Sequence, residues 1–137
     1  MINKDLIIKK IEEINSFLDL LENYKDLEMD KFLNDRNVVD ATKFRLINIM
    51  EACMNICSHI VIKMFNKIPE SYGDCFKILG EKGIIDKELS INLIKMTKFR
   101  NLLIHLYSKV DDSEIYKILK QNLVDIKKFM QEIKKLI

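Results

Sequence analysis

Four side chains in one short stretch carry the chemistry this sequence can offer. Within Met96–Asp112, an otherwise apolar run gathers Arg100, Asn101, His105 and Tyr107. Imidazole titrates near neutrality, so His105 can take or give a proton at physiological pH. The Arg100 guanidinium can grip phosphate oxygens and stabilise charge that builds on them. Asn101 can orient the imidazole or bind the phosphate, and Tyr107 offers a hydroxyl at the edge. Together these groups suit cleavage of RNA by attack of its 2′-hydroxyl on the adjacent phosphate. That chemistry needs a proton acceptor, a proton donor and a cation beside the phosphate, and it calls for no metal or organic cofactor.

The spacing sets a geometric problem. Five residues along an α-helix turn by roughly 140°, so one regular helix keeps Arg100 and His105 apart. Asn101 and His105 share one face, and Arg100 and Tyr107 another. Either the helix distorts near His105 or two chains contribute to one site. Spacing alone leaves a bland reading open, since a His near a helix C-terminus is favoured by the helix dipole without any catalysis.

The elements that must position these residues are helical. The 137 residues suit one domain, residues 1–137, with 48% hydrophobic and 32% charged side chains. Three Gly and one Pro leave little room for a many-turned β fold. Ile7, Ile11, Ile14, Leu18 and Leu21 form a helical stripe that Asn3 can cap, ending near Tyr24 or Lys25. Residues 26–34 read as a turn or brief helix. Asp35 then caps a long helix to about Asn66, with Val39, Leu46, Ile49, Met50, Cys53, Ile56, Cys57, Ile60 and Met64 at core spacing. A second set, Ile47, Met54 and Val61, points the same helix at a further apolar surface. The simplest cover for it is a second subunit, which predicts a homodimer with this helix near the interface.

Pro69 interrupts the pattern, and Ser71 caps a short helix ending at Gly80 or Gly83. Asp86 caps the helix that runs through Leu89, Leu93, Met96, Phe99 and Leu103 towards Tyr107. After a turn at Asp111–Ser113, a single last helix is predicted from Ile115 to Leu136, including Val124 in its apolar face and a Lys-rich solvated face opposite. The fold class is therefore all-α, an antiparallel bundle of four or five helices.

Cys53, Cys57 and Cys75 read as buried thiols rather than disulfides or metal ligands. His59, the other His, reads as a partly buried structural residue. The N-terminus lacks the apolar core of a secretion signal, and no apolar run approaches the ~18 residues of a membrane span. These features predict a cytoplasmic chain with reduced thiols and no membrane partner. A net charge of +2 does not by itself announce a nucleic-acid binder.

The run Phe99-Arg100-Asn101-Leu102-Leu103-Ile104-His105-Leu106-Tyr107, followed by Val110-Asp111, resembles the Arg-x4-His-x-Tyr signature of HEPN-domain toxins of the HepT type. Pro69-Glu70-Ser71-Tyr72, Phe76-x-x-Leu79 and Gly83-Ile84-Ile85 resemble that family's short-helix segment. Glu51-Ala52 with Ser58-His59-Ile60 resembles its central helix, so the resemblance covers roughly residues 36–130. It implies an all-α dimer with two motifs facing a shared cleft, acting as a metal-independent endoribonuclease toxin on RNA. The implied partner is a minimal nucleotidyltransferase antitoxin of the MNT type, which silences such toxins by transferring AMP to the motif Tyr. Carried over, Arg100 and His105 are catalytic, Asn101 supports them and Tyr107 is the modification target. Asn55 stands where the family more often has Asp, which leaves any acidic role there unfilled. The competing reading is a non-catalytic HEPN subunit that binds a nucleotidyltransferase.

Overall fold

The computed structural model describes all 137 residues. Seven α-helices follow one another: α1 (Lys4–Lys25), α2 (Met29–Leu33), α3 (Arg36–Phe65), α4 (Tyr72–Glu81), α5 (Lys87–Leu106), α6 (Asp112–Gln121) and α7 (Leu123–Lys134). A 3-10 turn, Tyr107–Lys109, separates α5 from α6. No strand is present.

The helix starts lie where cap chemistry puts them. The side chains of Asn3, Asp35, Ser71 and Asp86 each accept a hydrogen bond from a backbone N–H three residues on. Each cap satisfies a donor that the first turn leaves free, worth ~1 kcal/mol. Asn66 ends α3 in the left-handed conformation (φ 52°), which Asn tolerates, and its N–H returns to the Ile62 carbonyl. Gly83 (φ 74°) performs the same turn after α4, a position that strains any residue with a Cβ.

The central element is α3, which touches α1, α2, α4, α5 and α6. Two of these neighbours, α1 and α5, run antiparallel to it. Asn3 meets His59 while Tyr24 meets Arg45, and Tyr107 meets Lys43 while Arg100 meets Glu51. The five-residue stripe of α1 is buried throughout, at roughly 1.5–3 kcal/mol of transfer free energy per side chain before entropy is charged against it.

Four expectations need correction. The predicted last helix is two helices, broken at Asn122 (φ −113°), whose side-chain amide donates to the buried Asp125 carboxylate. With the short α2, this brings the count to seven. Of Ile47, Met54 and Val61, the last two are fully buried by their own chain and Ile47 is partly buried, so Met54 and Val61 offer no surface to a second subunit. Met64 and Val124, expected in the core, are exposed. Finally, α3 is long and apolar enough to cross a membrane by length and composition, with a window of mean hydropathy 1.3. Here its apolar surface is spent on the bundle core, where 13 of its residues are buried.

Candidate functional site

The motif lies on the last two turns of α5 and the 3-10 turn after it. The helix stays regular to Leu106, where the backbone departs (φ −131°, ψ 35°). The distortion therefore comes after His105, and no hydrogen bond or ion pair joins His105 to Arg100 within the chain. His105 is exposed and unpartnered.

Arg100 is set into the wall between α3 and α5. Its side chain is 18% exposed, and its stem lines a small apolar crevice with Leu46, Met50, Phe99 and Leu103. One terminal nitrogen donates to the Asn101 side-chain oxygen at 3.1 Å, and the other lies 3.8 Å from the half-exposed carboxylate of Glu51. Its Nε is the one buried side-chain polar atom in the chain without a partner. Leaving such a donor unsatisfied costs about 1–3 kcal/mol. The terminal nitrogens, tied to Asn101 and only loosely to Glu51, are the groups that can meet an oxyanion, while the unpaired Nε faces inward.

Tyr107 is placed separately from Arg100 and His105, by groups the sequence did not single out. Its hydroxyl donates to Asp40, 3.3 Å from the carboxylate and 3.4 Å from the backbone carbonyl. Lys43, 2% exposed, donates from Nζ to the Tyr107 carbonyl at 3.0 Å and stands 4.6 Å from the centre of its ring. The same ammonium pairs with Asp112 at 3.0 Å, whose other oxygen receives Arg36 at 3.1 Å. Arg36 also reaches Asp40 at 3.3 Å. Five residues from α3, the 3-10 turn and α6 thus form one closed polar cluster.

The charges within it follow from those contacts. Burial raises the Asp112 carboxyl, but hydrogen bonds from Lys43 and Arg36 outweigh it and hold Asp112 below the usual carboxylate range. Burial raises the Tyr107 phenol above its ordinary value, and the Asp40 carboxylate adds to that. Tyr107 is therefore a protonated hydroxyl at neutral pH.

Around the motif the surface is apolar. Leu102, Ile104 and Leu106 are 49%, 45% and 44% exposed. Three large aliphatic side chains are thus left open at one helix end beside the polar motif. An open hollow of about 590 Å³ lies elsewhere, at the α2–α3 junction between Leu27 and Asn37, and holds none of the motif residues. All three cysteines are free and buried, and burial raises the Cys53 and Cys57 thiols.

Of the expected site residues, the structure joins Arg100 to Asn101, keeps His105 on the Asn101 face of α5 without a bond to Arg100, and bonds Tyr107 to a separate set of groups. Sequence reading missed Glu51 as the partner of Arg100, and Asp40, Lys43, Arg36 and Asp112 as the setting of Tyr107. For Lys43 a signal existed. Val39, Lys43, Leu46, Met50, Cys53, Cys57 and Ile60 follow a strict four–three step, so a lysine occupies a core position.

Comparison with known proteins gives consistent relatives. The family profile described as "Ribonuclease HepT-like" matches residues 7–133. The mRNA nuclease HepT of Shewanella oneidensis is 30% identical over 131 residues, 95% of this chain and 97% of that protein. The tRNA nuclease HepT of Aphanizomenon flos-aquae is 25% identical over 111 residues, 81% of this chain and 76% of that protein. Among solved structures, the tri-AMPylated Shewanella oneidensis HEPN toxin in complex with its MNT antitoxin superposes with a TM-score of 0.89. It is 30% identical, and the match covers 97% of this chain and 99% of that one.

Proposed function

The chain belongs to the HepT-like ribonuclease family, and we propose that it is the endoribonuclease toxin of a toxin–antitoxin pair whose antitoxin is an MNT-type nucleotidyltransferase. The relatives named as nucleases of mRNA and tRNA support RNA as the substrate class. The antitoxin seated on the Shewanella toxin supports the partner.

At the level of residues, Arg100 holds the scissile phosphate and His105 moves the proton. The 2′-oxygen attacks phosphorus as its proton passes to an imidazole, and the 5′-oxygen leaves with a proton returned to it. Asn101 fixes the Arg100 fork. The observation that carries this reading is the state of Arg100: inset between α3 and α5, with a terminal nitrogen tied only loosely to the half-exposed Glu51.

A regular α5 keeps His105 on a different face from Arg100, so one chain does not close the site. We place the missing half on a second copy, docked through Leu102, Ile104 and Leu106. The homodimer follows from the open face of α5 rather than from the α3 face expected from sequence. Its two motifs then face one cleft and double the local positive charge.

Silencing acts through Tyr107. An AMP group on its hydroxyl adds bulk and negative charge at the cleft edge and competes with RNA phosphate for the site's cations. The tri-AMPylated state of the Shewanella toxin supports this mode of control.

The test is growth after inducing this chain alone, beside its His105→Ala variant, with total RNA profiled in both. Arrest and new RNA fragments with the unaltered chain only are expected. If neither strain arrests or cuts RNA although both proteins are soluble dimers, the catalytic reading fails. The chain is then a binding subunit of the nucleotidyltransferase.

A further inference from the structure

Tyr107 is held at three points, each from α3: hydroxyl on Asp40, ring under Lys43, carbonyl on Lys43. An inhibitory site on an exposed turn needs only to be accessible. This one is instead fixed in orientation, with a carboxylate at the atom that would react. We infer that Asp40 is the base that takes the phenolic proton when Tyr107 accepts a nucleotidyl group. The inference rests on Tyr107 as the acceptor and adds to that reading how the acceptor is activated.

The groups around the hydroxyl single out Asp40. Lys43 donates to the Tyr107 carbonyl and pairs with Asp112, so it is no base. Both Asp112 oxygens are occupied, one by Lys43 and one by Arg36. The Asp40 backbone carbonyl, 3.4 Å from the hydroxyl, cannot take a proton in any useful sense. The Asp40 carboxylate lies at 3.3 Å and is nearly half exposed, so it can release a proton to water afterwards. Arg36 at 3.3 Å offsets its repulsion of an incoming nucleotide. The phenol also needs a base, because burial and the carboxylate both hold it protonated.

The step balances as follows. The Tyr107 oxygen forms a bond to the α-phosphorus of a nucleoside triphosphate, and the bond from that phosphorus to the bridging oxygen of the β-phosphate breaks. Pyrophosphate leaves with the electron pair, and the phenolic proton passes to Asp40.

The experiment uses the purified chain, its nucleotidyltransferase partner and ATP, with AMP incorporation followed by intact mass. The proteins compared are the unaltered chain, Asp40→Asn, Asp40→Glu and Tyr107→Phe, each first checked for an unchanged thermal melt. Asp40→Asn keeps an acceptor at the hydroxyl but removes the base, and should slow transfer about 100-fold. Removing a negative charge beside an arriving nucleotide would by itself assist binding, so slower transfer identifies a proton role. Asp40→Glu should recover most of the rate. Transfer to Asp40→Asn at the unaltered rate, with none to Tyr107→Phe, would overturn Asp40 as the base while keeping Tyr107 as the acceptor. Labelling of Tyr107→Phe as fast as the unaltered chain would remove Tyr107 as the acceptor, and Asp40 with it.

Discussion

Replacing Lys43 with Met tests whether the buried cluster organises the turn that carries Tyr107. Met matches the lysine stem in volume, so the substitution removes the ammonium without opening a large cavity. Three interactions go: the 3.0 Å pair with Asp112, the 3.0 Å bond to the Tyr107 carbonyl and the contact with the Tyr107 ring. Breaking a buried ion pair by removing one partner costs about 3–5 kcal/mol when the other is stranded. Asp112 is not stranded, because Arg36 still reaches it and a quarter of its side chain meets solvent. Burying Met in place of an ammonium also recovers part of the desolvation penalty. The net expectation is a loss of roughly 2 kcal/mol, which for a domain of this size lowers Tm by about 6–10 °C. Urea and thermal unfolding followed by circular dichroism would measure it.

The pH dependence supplies the second readout. Asp112 has a folded value below its unfolded one, so its contribution is fully present above the unfolded value of about 3.9. That contribution is lost as pH falls through the folded value. The unaltered chain should therefore lose more stability than Lys43→Met on acidification below about pH 4. A Lys43→Met protein as stable as the original, with the same acid profile, would refute the reasoning. The cluster would then be an ion pair that an apolar side chain replaces without loss.

Three further outcomes follow from named contacts. Gly80→Ala would place a Cβ 2.8 Å from the Ser90 hydroxyl, which already donates to the Phe76 carbonyl, so α4 must shift from α5; a loss of about 1–3 kcal/mol in chemical denaturation is expected. His59 accepts a hydrogen bond from the Asn3 N–H, and burial first, then Lys63 and the chain terminus, lower its pKa. The neutral form is the one that accepts, so this contact is present above the unfolded value of about 6.5 and lost as pH falls through the lowered folded value; amides at the start of α1 should lose protection between neutral and mildly acidic pH, read as exchange that slows less than the base-catalysed intrinsic rate does. Ile104→Glu places a charge on the open face of α5, and sedimentation should show a monomer that no longer cuts RNA while keeping its helical content.

The sequence displayed its helices because local signals coincide: an apolar stripe, a capping oxygen and a terminating Gly or Asn point to the same boundaries. Where one signal was silent the reading failed. The break between α6 and α7 is invisible in the apolar pattern, since Leu119, Leu123, Ile126 and Met130 continue the four–three step across it. The contacts at the break are polar: Asn122 and Asn92 both donate to the buried carboxylate of Asp125, and the Asn92 bond spans 33 residues, which no local window contains. The site divides in the same way. Arg100, Asn101 and His105 were legible because they are neighbours on one helix. The setting of Tyr107 was not, because Asp40 and Lys43 lie more than 60 positions away and meet it only when α5 packs antiparallel to α3. Yet a lysine standing in the core register of α3 was itself a clue that some anion or carbonyl must meet it there, since an unpaired buried ammonium would not survive folding. A charge at an apolar position thus predicts a partner even when the sequence cannot name it, and here the partners are the Asp112 carboxylate and the Tyr107 carbonyl.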